Sequence, residues 1–325
     1  MRLTANEARL IDRWQRGFPL VPRPYDEIGR DIGLSEKDVI EMLRRLKAGG
    51  VLSRIGATLR PNTVGASTLA AIEVPQRRLQ EVAALVSSEP CVTHNYEREH
   101  AVNLWFVVTA ANRRTVDLVL DRIRGASGLD VLDLPLVRAY FVDLGFALCG
   151  PTAGRVVEHR RAAAAPRIWD ADRLLLRAIE DGLPLVPEPY WRIALELGVG
   201  QHAVMRRLRR LLRSGVINRL GLIVRHHELG FTANAMALWD VPDSEVDAIG
   251  ERIAAHTAVT LCYRRRRASP AWPYNLYCMV HGCEHTTVRQ QIATIAEGAG
   301  IAALPHAVLF SKRRFKQRGA TLAAA

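Results

Sequence analysis

An internal repeat constrains this chain more than any other feature, because a segment present twice has to fold as two copies of one unit. Phe18-Pro-Leu-Val-Pro-Arg-Pro-Tyr25 returns as Leu183-Pro-Leu-Val-Pro-Glu-Pro-Tyr190, an offset of 165 positions (183 − 18). Arg54-Ile55-Gly56 recurs as Arg219-Leu220-Gly221 and Gly65 as Gly230 at the same spacing, so no gap interrupts the first part of the repeat. Between the copies, Gly150 to Pro166 holds Pro151, Gly154, Arg160-Arg161 and a run of alanines, which is the composition of a linker.

Within copy one, Thr4-Ala5-Asn6-Glu7 has the spacing of a capping box and opens an apolar helical pattern. Ser35 stands as a second cap before Val39, Met42, Leu43 and Leu46, and Gly49-Gly50 ends that helix. Val51 to Leu59 alternates as a wing strand. Helices leading into a capped helix and a short hairpin make a winged helix-turn-helix, which copy two repeats from Asp170 to Arg219. The period then changes. Ala66 to Val74 is predicted as a strand, Pro75 to Val86 as a helix, Val92 to Arg98 and Asn103 to Thr109 as paired strands, Thr115 to Arg124 as a helix and Val131 to Val142 as a strand. Copy two gives the same order from Phe231 to Phe310. One such sheet leaves a face bare, and two in one chain can cover each other.

The expected fold class is therefore α+β: a tandem repeat of a winged helix-turn-helix plus a ferredoxin-like βαββαβ module, fused as a pseudo-dimer. The predicted boundaries are 1–62 and 63–149 for the two parts of copy one, 150–167 for the linker, 168–227 and 228–316 for copy two, and 317–325 for a tail.

No apolar run approaches the ~18 residues of a membrane span, and Met1-Arg2-Leu3-Thr4 opens no apolar signal core, so a soluble cytoplasmic protein is expected. Cys91, Cys149, Cys262, Cys278 and Cys283 are odd in number and scattered, which suggests neither a disulfide framework nor a thiolate metal site. A net charge of +12 asks for an anionic partner: nucleic acid, a phosphorylated ligand or a polycarboxylate.

The segment His94-Asn95-Tyr96-Glu97-Arg98 carries the most pointed chemistry. In a strand, residues two apart share a face, so His94, Tyr96 and Arg98 project to one side. Such a set binds carboxylates through the guanidinium and moves a proton through the imidazole, or is simply a polar sheet face. In copy two, Tyr263 and Arg265 fall under Tyr96 and Arg98, while Leu261 replaces His94. Either only one copy carries the acid/base group or His256, His281 or His306 substitutes in the second, with His306 placed on the last strand. His281-Gly-Cys283-Glu-His285 tempts a metal reading, but a strand end meeting a helix start explains it more cheaply. Trp105, Phe106 and Tyr277, on the next strand, serve either as sheet core or as a stacking surface. The basic helix Met205 to Arg213 is the strongest DNA-like feature, yet copy one carries Glu36, Asp38 and Glu41 at the same site.

Taken together, the winged helix with a ferredoxin-like half, the Pro-rich motif Phe18 to Tyr25, Arg54-Ile55-Gly56, His94-x-Tyr96-x-Arg98 and Asn103-Leu-Trp-Phe106 resemble the siroheme decarboxylases, an enzyme branch of the Lrp/AsnC superfamily. The resemblance spans nearly the whole chain and is similar to a fusion of the D and L components of the heme d1 pathway. It implies removal of the C12 and C18 acetate carboxyls of siroheme to give 12,18-didecarboxysiroheme, by a carbon–carbon lyase with no added organic cofactor or resident metal, the iron being part of the substrate. It further implies His94 as general acid, Arg98 as carboxylate clamp and Tyr96 as orienting group. Tyr263, Arg265, Trp105, Tyr277 and His306 are then expected to hold substrate, and paralogous decarboxylase subunits are candidate partners. The rivals are an Lrp/AsnC-type DNA-binding regulator and a non-catalytic tetrapyrrole-binding protein.

Overall fold

The computed structural model describes residues 3–142, 145 and 167–319; Cys149, nearly all of the predicted linker and tail residues 320–325 lie outside that range. Copy one runs α1 (Ala5–Trp14), α2 (Pro24–Ile32), α3 (Glu36–Ala48), β1 (Leu52–Leu59), β2 (Ala66–Ile72), α4 (Leu79–Ser88), β3 (Val92–Arg98), β4 (Leu104–Ala110), α5 (Arg113–Ser127) and β5 (Val131–Val142). Copy two repeats it as α6 (Asp170–Ala178), α7 (Pro189–Glu196), α8 (Gln201–Arg213), β6 (Ile217–Val224), β7 (Ala233–Trp239), α9 (Val246–Ala255), β8 (Val259–Arg265), β9 (Leu276–Gly282), α10 (His285–Ala299) and β10 (His306–Gln317). The chain divides into two compact units, Met1–Val64 with Gly145–Gly230 and Gly65–Leu144 with Phe231–Ala325. Each unit gathers the like parts of both copies.

In the first unit the caps form as their residues dictate. Thr4 Oγ1 accepts from the Glu7 N–H while the Glu7 carboxylate accepts from the Thr4 N–H, and Ser35 Oγ accepts from the Asp38 N–H. The wing differs from the expected short hairpin. β1 pairs antiparallel with β6 of the other copy, in a register that sets Gly56 opposite Gly221. These two glycines are equivalents under the repeat, so an approximate two-fold axis passes between them. A lone wing strand leaves its N–H and C=O groups unpaired, and the second copy satisfies them. A side chain at Gly221 has no room, since its Cβ would sit 2.1 Å from the Gln15 carbonyl oxygen.

The repeated Pro-rich motif is a reciprocal clasp about this axis. Tyr25 Oη donates to the Pro184 carbonyl at 3.0 Å and Tyr190 Oη to the Pro19 carbonyl at 2.7 Å. Phe18 N donates to Leu220 O at 3.1 Å and Leu183 N to Ile55 O at 2.7 Å. Arg44 and Arg209 bind the Leu185 and Leu20 carbonyls. Both tyrosines are fully buried, so each hydroxyl needs the bond it makes.

In the second unit eight strands close into a barrel in the order β10-β3-β4-β2-β5-β8-β9-β7. The two sheets cover each other as expected and also join at both edges, β5 to β8 and β10 to β3, because each copy's last strand is 12 residues long and overruns its own sheet. The overrun carries an aromatic into the other copy: Tyr140 packs into the core beneath α9 and α10, and Phe315 into the core beneath α4 and α5. Alternation along the strands sorts side chains into three cores. Ala70, Ile72, Leu104, Phe106 and Val108 face the helices of copy one, and Ala235, Ala237, Leu276, Cys278 and Val280 those of copy two. Ala71, Trp105, Leu134, Met236, Leu238, Tyr277 and Leu309 face the barrel interior. That interior belongs to neither copy alone.

Candidate functional site

His94, Tyr96 and Arg98 share the inner face of β3, with Asn95 and Glu97 buried on the other side; a β-bulge between Val92 and His94 breaks the alternation and sets Thr93 beside His94. The His94 and Tyr96 rings stack with centroids 6.3 Å apart, and the Arg98 guanidinium lies 5.9 Å from the Tyr96 ring. On β8, Arg265 lies 5.2 Å from the Tyr263 ring and 5.7 Å from that of Tyr277. The barrel thus brings Tyr96, Arg98, Tyr263, Arg265, Trp105 and Tyr277 onto one inner surface drawn from both copies.

The two arginines are fixed in the same way. Arg98 Nη1 donates to the Leu309 carbonyl at 3.0 Å, and Arg265 Nη1 to the Leu134 carbonyl at 2.9 Å, each on the strand that crosses over from the other copy. In both, Nε is buried without a hydrogen-bond partner, and neither guanidinium forms an ion pair among the described residues. Burial pushes Arg98 down to about 10 and lowers Arg265, so both stay charged at neutral pH. For the buried Arg98, a cation without a counter-charge costs several kcal/mol, on the order of 3–5 when an ion pair is broken, which an incoming carboxylate would offset; Arg265 is half-buried and also feels the charge of Asp133. Burial also raises the Tyr96 phenol and pushes Tyr263 up to about 12, so both remain neutral hydrogen-bond donors.

Each half also holds a threonine–histidine pair. His94 Nδ1 lies 3.0 Å from Thr93 Oγ1 in the first, and His281 Nδ1 lies 3.0 Å from Thr260 Oγ1 in the second. Thr93 and Thr260 are equivalents, but their histidines come from β3 and β9. Both threonine hydroxyls donate to a backbone carbonyl, Val107 and Met279, so each accepts from the Nδ1–H of its histidine. His281 was one of three candidates for the histidine that Leu261 displaces, and its parity with Tyr277 and Met279 on β9 was the available signal. Burial, reinforced by the charge of Arg98, pushes His281 down to about 3, so it is neutral at physiological pH.

That shift has a consequence for stability. The unfolded chain protonates His281 near its ordinary value of ~6.5 while the native protein does not until far lower pH, so stability present above ~6.5 is lost as pH falls toward 3. Between pH 6.5 and 5 the loss is expected to be on the order of 2 kcal/mol. Urea unfolding at several pH values should show a shallower acid slope for His281→Gln than for the parent; equal slopes would assign the loss to other groups.

His306 is not part of this surface. It is exposed at the start of β10 with Nδ1 3.0 Å from the Leu304 carbonyl, and it pairs with Trp239 in the parity of Val308 and Phe310, which faces the helices. Strand alternation excludes it from the interior that Ala307 and Leu309 line. Phe106 likewise packs toward α4 and α5 while Trp105 faces inward. His281, Cys283 and His285 do not converge: Cys283 is exposed and His285 stacks on Phe310 at 4.1 Å. Among the described residues no group of three or more His, Cys, Asp or Glu side chains converges to hold a metal, and no helix is long and apolar enough to cross a membrane.

In the basic helix α8, three of the five arginines are engaged within the fold, while Arg206 and Arg213 are exposed. Arg207 pairs with the fully buried Asp172 at 3.2 Å, Arg210 binds the same carboxylate and stacks on Trp169 at 4.0 Å, and Arg209 is taken by the clasp. Burial acts to raise Asp172, but Arg210, the Trp169 N–H and Arg207 outweigh it and hold the carboxyl below its usual range. These arginines are not free for phosphates.

Comparison with known proteins agrees with this division of labour. A family model described as an AsnC-like ligand binding domain matches residues 64–140 and 228–316, and one described as a siroheme decarboxylase NirDL-like HTH domain matches residues 7–52 and 172–217. The chain is 44% identical over 317 residues to the siroheme decarboxylase NirDL subunit of Paracoccus denitrificans, covering 98% of this chain and 97% of that one. It is 51% identical over 140 residues to the siroheme decarboxylase NirD subunit of Pseudomonas aeruginosa, covering 43% of this chain and 93% of that one. Among solved structures it resembles the siroheme decarboxylase NirDL, with a TM-score of 0.69, 26% identity and coverage of 98% and 94%. It also resembles that enzyme in co-complex with an iron-uroporphyrin III analogue, with a TM-score of 0.67, 26% identity and coverage of 98% and 93%. With relatives this similar along their full length and family models matching both repeats, the chain belongs to the siroheme decarboxylase NirDL family.

Proposed function

We propose that this protein is a carbon–carbon lyase that converts the C12 and C18 acetate side chains of siroheme to methyl groups, yielding 12,18-didecarboxysiroheme. The observation that carries the reading is the pair of inward arginines, the buried Arg98 and the half-buried Arg265, each held by a crossing-strand carbonyl and each with a buried Nε that has no hydrogen-bond partner. A polycarboxylate supplies what these groups lack, and the chain's +12 charge favours its approach. Arg98, assisted by Tyr96, holds a reacting carboxylate away from water. The bond between the methylene and carboxyl carbons breaks, carbon dioxide leaves, and the electron pair stays on the methylene carbon, delocalised into the macrocycle. His94 then delivers a proton to that carbon to complete the methyl group. Tyr263 and Arg265 hold the macrocycle from the second half, and Trp105 and Tyr277 offer it apolar surface. No organic cofactor or resident metal is required, since the macrocycle accepts the charge.

Paralogous decarboxylase subunits are the protein partners this reading suggests, as relatives carry names of single NirD, NirL and NirH subunits. A DNA-binding regulator is disfavoured by the internal engagement of Arg207, Arg209 and Arg210. Anaerobic incubation of the purified protein with siroheme, followed by mass spectrometry of the extracted tetrapyrrole, tests the proposal. Loss of two carbon dioxide units is expected from a complete decarboxylase. Loss of one points to a required partner, and siroheme bound but unchanged would sink the enzymatic reading.

A further inference from the structure

The two hairpins at one end of the barrel differ in length. Four residues separate Arg98 from Asn103, and nine separate the equivalent Arg265 from Asn275. Both asparagines anchor their hairpins alike: Asn103 exchanges two hydrogen bonds with the backbone of Val74 at 3.0 and 2.9 Å, and Asn275 does so with Val241 at 3.0 and 2.9 Å. The extra residues of the second hairpin therefore lie between fixed points and fold inward. Ala268 and Trp272 exchange backbone hydrogen bonds at 3.0 and 2.8 Å, and Arg267 secures the loop on Asp240, Asp243 and the Val241 and Pro273 carbonyls.

This delivers Trp272 into the barrel core, 2% exposed. Its Nε1 donates to Tyr277 Oη at 2.9 Å, and its ring lies 5.2 Å from Trp105 and 5.3 Å, edge-on, from His100. Trp105 and His100 belong to the first copy, so both hairpins stand at the same mouth, and the barrel has an approximate two-fold axis of its own along its length. Arg98 and Arg265, Tyr96 and Tyr263, and Trp105 and Tyr277 obey that axis. Trp272 breaks it, since the shorter first hairpin brings only the exposed His100 and the half-buried Val102 to this mouth and has no buried aromatic to match it.

A barrel with two-fold symmetry would accept a macrocycle equally in two orientations related by the axis. The geometry points to Trp272 as a specificity-determining residue: it fills the hairpin mouth from one side and makes the two orientations inequivalent. One acetate is thereby presented first. The inference rests on the siroheme decarboxylase reading above and adds to it an order of reaction.

The test is a single-turnover anaerobic reaction stopped after loss of one carbon dioxide, with the monodecarboxylated isomers separated by chromatography and identified by mass spectrometry and NMR. The parent is expected to give one dominant isomer, Trp272→Ala comparable amounts of both, and Trp272→Phe the parent's pattern. A general loss of packing would slow turnover without equalising the isomers. Should Trp272→Ala fail to fold, replacing residues 266–274 by the four residues of the first hairpin keeps both asparagine anchors and gives the same readout. An unchanged isomer pattern in whichever of these variants folds, or both isomers from the parent, overturns the assignment. A parent that releases no carbon dioxide overturns the decarboxylase reading instead.

Discussion

A His94→Gln variant is expected to bind siroheme with the parent's affinity and to decarboxylate it about 10²–10⁴-fold more slowly, the usual contribution of a positioned general acid. The affinity should persist because carboxylate binding is assigned to Arg98 and Arg265, whose contacts run to the Leu309 and Leu134 carbonyls and not to His94. Glutamine keeps a polar side chain of similar length beside Thr93 but cannot carry the proton that the new methyl carbon needs. Titration of the siroheme absorbance should give the dissociation constant, and mass spectrometry of timed samples the rate. Parental turnover would remove His94 from the proton step. A large loss of affinity would recast it as a binding residue.

Much of this site was legible in the sequence because it is written in strand parity. His94, Tyr96 and Arg98 sit two apart, β3 spans Val92–Arg98 as the apolar alternation predicted, and the matching Tyr263 and Arg265 follow from the repeat. The caps at Thr4 and Ser35 and the end of α3 at Gly49-Gly50 were local signals of the same kind. What the sequence concealed was pairing between copies. Nothing in Val51 to Leu59 says that its partner is Ile217–Val224 and not a neighbouring hairpin strand, and the pairing appears only once Gly56 and Gly221 meet at the axis. The placement of His281 depends on β8–β9 register across 21 residues, and that of His306 on which of two parities β10 adopts after the turn at Leu304. Trp272 lies between two prolines in a stretch without strand or helix periodicity, and its burial follows only from His100 and Trp105 of the other copy standing at the same mouth. Local chemistry was readable; reciprocity was not.

Replacing both inward arginines separates binding from folding more sharply than any other change. In Arg98→Met/Arg265→Met, siroheme affinity is expected to fall by about 10- to 100-fold for each charge-assisted hydrogen bond lost, since each contributes ~1.5–3 kcal/mol. Stability without ligand should move little. Methionine fills similar length at both positions, and removing the buried Arg98 cation, which has no ion-pair partner among the described residues, relieves a desolvation cost of several kcal/mol, with a smaller relief at the half-buried Arg265. Against this stands the loss of a donor at the Leu309 and Leu134 carbonyls, ~1–3 kcal/mol for each acceptor left unsatisfied. These terms oppose each other, whereas for binding every term has the same sign. Thermal unfolding with and without siroheme reads both quantities at once: the melting temperature of the free protein should stay near the parent's while the rise on adding siroheme collapses. A free protein that melts far below the parent would make the arginines structural. A ligand-induced rise equal to the parent's would place the carboxylates elsewhere in the barrel.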